Sequence, residues 1–86
     1  MRITTNLVFD AMTEEEFEKA KEFHEFLKNI SKSNHGYINI RREQFIKLAS
    51  CLMEVPPIEA YQILKKMKNY GWIIRMEQDF IIVRLD

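Results

Sequence analysis

Val55-Pro56-Pro57-Ile58-Glu59-Ala60-Tyr61-Gln62-Ile63-Leu64-Lys65-Lys66-Met67-Lys68-Asn69-Tyr70-Gly71-Trp72-Ile73 is the run from which the architecture of this chain is read. Proline is welcome in the first turn of a helix, where its missing N–H has no partner to lose. Val55-Pro56-Pro57 therefore closes one element and opens a helix from about Pro57 to Tyr70. Gly71 is the natural left-handed residue just past its end. At 100° per residue, Ala60, Ile63, Leu64 and Met67 gather on one side of this helix. Tyr61, Gln62, Lys65 and Asn69 gather opposite, with Lys66 and Lys68 at the flanks. Beyond Gly71, two β-prone runs, Trp72-Ile73-Ile74 and Phe80-Ile81-Ile82-Val83, enclose the polar Glu77-Gln78-Asp79 and predict a hairpin.

Upstream, a helix from about Arg42 to Met53 places Phe45, Leu48, Ala49, Leu52 and Met53 on one side. A short strand is expected over Tyr37 to Ile40, after the stop signals Asn34, His35 and Gly36. Thr13 and Glu16 form a capping box, and Glu14 to Glu16 suit the positive end of a helix dipole, so another helix starts near Glu14. Its apolar residues Phe17, Ala20, Phe23, Phe26, Leu27 and Ile30 spread over about half the circumference, wider than the stripe of about 100° that covers a core. That width predicts two interfaces. From Arg2 to Phe9, Ile3, Thr5, Leu7 and Phe9 alternate with polar neighbours, the period of a half-buried strand. The expected core is Phe17, Phe23, Leu27, Phe45, Leu48, Leu52, Leu64, Met67, Trp72 and Ile73.

With 86 residues the chain has room for one domain, 1–86, in which residues 1–12 form a strand or arm and residues 14–86 the core. The 47% hydrophobic content is enough for a globule and too much for a disordered chain. Cys51 is the single cysteine, so no intrachain disulfide forms, and a small buried hydrophobe is its expected role. His24 and His35 have no nucleophile and carboxylate at triad spacing. His24 falls at the margin of the apolar stripe and is expected half-buried. Gly36 and Gly71 are the only glycines, too few for a phosphate-cradling loop or a dinucleotide fingerprint. No catalytic residue, metal site or cofactor is expected. Apolar runs such as Phe80 to Val83 fall far short of the roughly 20 residues of a membrane span. Met1 to Phe9 is too polar for a secretory leader, so a cytoplasmic address is expected.

The formal net charge of zero hides a division. Up to Phe26, seven acids face three bases; from Lys28 to Arg75, nine bases face three acids. Such an asymmetry can steer a polyanion to one face of a neutral molecule.

Helix, short strand, helix, proline-containing break, helix, glycine and hairpin, in that order from about Glu14 to Leu85, resembles a winged helix-turn-helix domain. The resemblance is carried by Ile40 to Phe45 leading into Leu48-Ala49 and Leu52, by Val55-Pro56-Pro57, and by Ile63-Leu64-Lys65-Lys66-Met67 with Asn69-Tyr70-Gly71-Trp72-Ile73. The helix ahead of the motif is similar to that of small archaeal, viral and MarR-like regulators. The implied fold is α+β, with three helices, a C-terminal β-hairpin wing and an N-terminal strand. The implied function is binding of double-stranded DNA as a transcriptional regulator, with the third helix in the major groove.

On that basis Tyr61, Gln62, Lys65, Lys66 and Asn69 are the candidate reading residues. Gln and Asn pair with adenine, Lys reaches guanine or phosphate, and Tyr meets phosphate or a thymine methyl. Arg41, Arg42, Arg75 and Arg84 are candidate phosphate contacts. Two features depart from the family pattern: Glu59 near the start of the third helix, and a wing tip with two acids and no base. They favour the alternative of a winged module that binds protein and not DNA. A homodimer through the first helix and the N-terminal strand is expected, because Phe17 and Phe26 lie half a turn apart.

Overall fold

The computed structural model describes residues 11–86. Helix α1 spans Glu14–Ser31, and Thr13 caps it as the sequence predicts: its hydroxyl accepts from the Glu16 N–H at 3.1 Å, while the Glu16 carboxylate accepts from the Thr13 N–H at 3.0 Å. A 3-10 turn, Lys32–Asn34, leads through His35 and Gly36, both with positive φ, into β1, Tyr37–Ile38. Helix α2 is Arg42–Met53 and ends on a left-handed Glu54. Helix α3 is Pro57–Asn69, with proline in its first turn. Gly71, at φ +86°, turns the chain out of α3, and the Trp72 N–H reaches back to the Met67 carbonyl at 3.0 Å. Strands β2, Ile73–Met76, and β3, Ile81–Val83, complete the hairpin.

The fold is α+β. Among the described residues three helices and a small antiparallel sheet of order β1-β3-β2 form an arrangement compatible with a winged helix. Tyr37 faces Ile82 and Ile38 faces Ile81, which sets the start of α2 against the hairpin tip. There the Arg42 N–H donates to the Gln78 carbonyl at 2.9 Å. An irregularity in the β2–β3 register falls between Ile73 and Arg75.

One core lies among the helices and under the sheet. Ala20, Phe23 and Leu27 enter from α1, Phe45, Ala49 and Met53 from α2, Ala60, Ile63, Leu64 and Met67 from α3, and Ile73, Ile81 and Val83 from the strands. Several sequence expectations need correction. Leu48 is half-buried and Leu52 exposed, because α2 is rolled so that the Phe45, Ala49, Met53 row points inward with Ile46 beside it. Phe17 lies at the surface, its ring 5.5 Å from that of a half-buried Trp72. Cys51 is an exposed free thiol, not a buried hydrophobe. The strand expected over Arg2 to Phe9 lies outside the described residues.

His24 is more deeply buried than its place at the margin of the apolar stripe implies. Its Nε2–H donates to the Arg84 carbonyl at 2.9 Å, and its ring stacks on Trp72 at 5.2 Å. Burial holds its pKa below the ordinary histidine value and nearby Lys28 acts in the same direction, against the Arg84 carbonyl and Glu25. These contacts give the ring a structural part, tying α1 to the end of β3.

Candidate nucleic-acid interface

The roll of α3 about its axis is fixed by four wholly buried side chains, Ala60, Ile63, Leu64 and Met67. Everything on the opposite side must face outward. Tyr61, Gln62, Lys65 and Asn69 are all exposed there, as the helical spacing predicts. The Lys65 ammonium stands over the Tyr61 ring, 5.4 Å from its centroid, one helical turn along. That contact leaves the charge at the surface and holds two neighbouring groups of the face in register.

Lys66 does not belong to this face. It is half-buried on the side toward α1, and its ammonium donates to the Glu16 carboxylate at 2.9 Å. Burial works upward on the Glu16 carboxyl, but the Lys66 hydrogen bond, the Thr13 N–H and the Lys66 charge together hold it below the ordinary carboxylate range. Lys66 is thus a strut between α1 and α3, and any DNA contact would require it to leave a partner.

Arg41 and Arg42 are exposed at the start of α2. With Glu43 and Gln78 they line a polar cleft of about 190 Å³ between this helix start and the hairpin tip. Among the described residues neither guanidinium has an ion-pair partner. Arg75 is differently placed: it donates to the Glu77 carboxylate from Nε at 3.1 Å and from Nη2 at 3.0 Å, and lies over the Phe80 ring. The wing's own acid therefore neutralises the wing's own base. Arg84 is likewise paired, with Asp86 at 3.3 Å.

The sequence reading missed Ile58. Stepping 100° per residue sets it at the azimuth of Lys65 and Asn69, in the middle of the polar face, and it is 76% exposed. The signal was one apolar side chain on the wrong side of an otherwise clean amphipathic pattern. Glu59 lies toward the Lys66 flank by the same geometry, so its carboxylate stands beside the face and not at its centre.

A second exposed feature is apolar. Phe26 and Leu52, with Lys19, Glu22, Phe23 and Met53, line a groove of about 200 Å³ between α1 and α2. Among the described residues no group of three or more His, Cys, Asp or Glu side chains is placed to hold a metal ion, and no helix is long and apolar enough to cross a membrane.

No family model matches the chain, and no solved structure matches it. A protein of Acidianus two-tailed virus, described as "Uncharacterized protein ORF98a", is 49% identical over 74 residues, which cover 86% of this chain and 76% of the viral one. An identity of that height over most of both chains means a shared fold and common descent, and the chain belongs to the family of this viral protein.

Proposed function

We propose that the chain is a winged helix-turn-helix protein that binds double-stranded DNA as a transcriptional regulator, laying α3 in the major groove. The observation that carries this reading is the outward face of α3. Tyr61, Gln62, Lys65 and Asn69 lie side by side, exposed and, among the described residues, free of ion pairs, on a helix whose other side is locked into the core. A helix that follows a tight turn and shows such a face has the geometry by which helix-turn-helix proteins reach base edges. Arg41 and Arg42 at the cleft by the wing tip supply phosphate contacts that position the helix. Lys66 and Arg75 contribute to the fold. A cytoplasmic location is part of the same reading.

A small neutral module makes few contacts by itself, and a homodimer would double them. The groove beside Phe26 and Leu52 is the surface favoured for it. Two-fold pairing would present two α3 helices to half-sites about 34 Å apart. The same groove also favours the second reading, a module that assembles with protein and not with DNA.

Salt titration decides between them. Phosphate contacts make log affinity fall linearly with log salt, and Arg41→Ala or Arg42→Ala should each lower the slope by about 1. Absence of binding to any duplex at low salt refutes the DNA reading and leaves the assembly module.

A further inference from the structure

Among the described residues Ile58 is the most exposed of the large apolar side chains, and no packing among them accounts for it. It takes no part in the core. Isoleucine is also a weaker helix former than the Lys, Glu or Gln that would serve a solvated position. It stands in the first turn of α3, the end of a reading helix that meets base edges. Its azimuth is within about 20° of Lys65 and Asn69, with Gln62 and Tyr61 on either side.

The rest of the face narrows what an apolar group there could touch. Helix α3 has no arginine, the side chain that most often reads guanine, and its outward lysine stands over Tyr61. Gln62 and Asn69 carry the amides suited to adenine. In the major groove the apolar feature of a base pair is the thymine C5-methyl group. From these placements we infer that α3 reads A·T base pairs, with Ile58 packed against thymine methyls and Gln62 and Asn69 facing adenines. Eleven residues from Ile58 to Asn69, at about 1.5 Å each, span about 16 Å, or about five base pairs. Gln62 follows Ile58 by one turn, so the thymine and the first adenine are neighbours or next neighbours along the groove.

The inference rests on the DNA reading, and its test separates the two. The full chain is titrated by fluorescence anisotropy with three duplexes of about 30 base pairs: alternating A–T, alternating A–U, which differs only in lacking the methyl groups, and alternating G–C. The A–T duplex should bind tighter than A–U by about fourfold per methyl covered, with G–C weakest. Ile58→Ser should bind A–U as the wild type does and lose the preference for A–T. Because the side chain lies outside the core, this variant should keep the wild-type melting curve. Equal wild-type affinity for A–T and A–U, equal loss by Ile58→Ser on both, or tighter binding to G–C would overturn the inference while leaving DNA binding intact. No binding to any of the three would overturn both readings and leave Ile58 a protein contact.

Discussion

Gly36 and Gly71 have nearly the same backbone conformation, φ +88° and +86°, and should respond very differently to alanine. A side chain in this left-handed region costs about 1 kcal/mol at either site. At Gly71 little is added, since a new Cβ would meet one atom, the end of the flexible Arg84 guanidinium, at 3.2 Å. At Gly36 the new Cβ would overlap the Val83 carbonyl oxygen, which is backbone within the sheet. Strand β3 would have to move, and with it the hydrogen bond from the Val83 N–H to the Gly36 carbonyl, 2.8 Å long. Losing that bond adds about 1 kcal/mol and the displacement of packed Val83 at least as much again, so Gly36→Ala should cost about 3 kcal/mol or more. Gly71→Ala should cost about 1 kcal/mol. Urea unfolding of both variants, with equal m-values as the check on two-state behaviour, measures the difference. Costs within about 0.5 kcal/mol of each other would refute the close approach of β1 to β3. They would also remove the pairing that sets Arg41 and Arg42 beside the wing tip.

The other predictions concern charge, pH and assembly. Lys66→Ala leaves the Glu16 carboxylate half-covered without its partner and should cost about 1 kcal/mol of stability with little effect on DNA affinity, whereas Lys65→Ala should do the reverse; equal DNA losses would return Lys66 to the interface. Because the Glu16 carboxyl is held low, its stabilisation is present above its ordinary value of 4.5 and lost as pH falls through the folded value, a loss that Lys66→Ala should blunt in acid unfolding curves. His24 is depressed below 6.5, so the unfolded chain takes the proton first and stability should fall as pH drops below about 6.5; a melting temperature for His24→Gln that falls as steeply as the wild type's over that window would refute this. Sedimentation equilibrium at micromolar concentration should show a dimer that Phe26→Glu dissociates, and a 10.4 kDa wild-type species throughout would refute it.

Element boundaries were legible wherever a local device sets them. The Thr13–Glu16 box, Pro57 and Gly71 each act within a few residues, and the helices begin and end beside them. The roll of α3 was legible too, since four apolar residues on one side leave no choice of inward face. On α2, apolar side chains run from Leu48 round to Ile46, and which part is buried depends on where α1 and α3 press. The sequence carries no local mark of that. The fate of Lys66 was hidden for a similar reason: its partner, Glu16, lies fifty residues away. The pairing of Arg75 with Glu77 is local, between the end of β2 and the first residue of the wing tip two positions on, and the opposite charges so close together were visible in the sequence. For Arg41 and Arg42 the sequence showed a helix start. Only the β1–β3 register brings Gln78 to them.

The zero net charge argues less against a polyanion partner than it first does, because the fold distributes the pairing unevenly. Of the basic side chains between Lys28 and Arg75, Lys28 is held by Glu25, Lys66 by Glu16 and Arg75 by Glu77. Lys32, Lys47, Lys65, Lys68, Arg41 and Arg42 are in none of these pairs; of these, Lys65 lies on the outward side of α3, Lys68 at its flank, and Arg41 and Arg42 at the start of α2. Half of the acids among the described residues are on α1, where Glu14, Glu15, Glu18 and Glu22 are exposed. Packed helices lie about 8 to 10 Å apart axis to axis, and side chains on outward faces stand farther still. The screening length at physiological salt is about 8 Å, so the α1 carboxylates subtract little from the potential at the outward face of α3. The acids that could weaken that potential are the near ones. Glu16 is already committed to Lys66 and Glu43 stands in the cleft with Arg41 and Arg42, while Glu59 is on α3 itself, at the flank of its outward face, so removing the Glu59 charge should raise affinity for DNA. Glu59→Gln should strengthen binding at low salt, and the gain should shrink as salt is raised; an unchanged affinity at low salt would mean that α3 does not approach the phosphates.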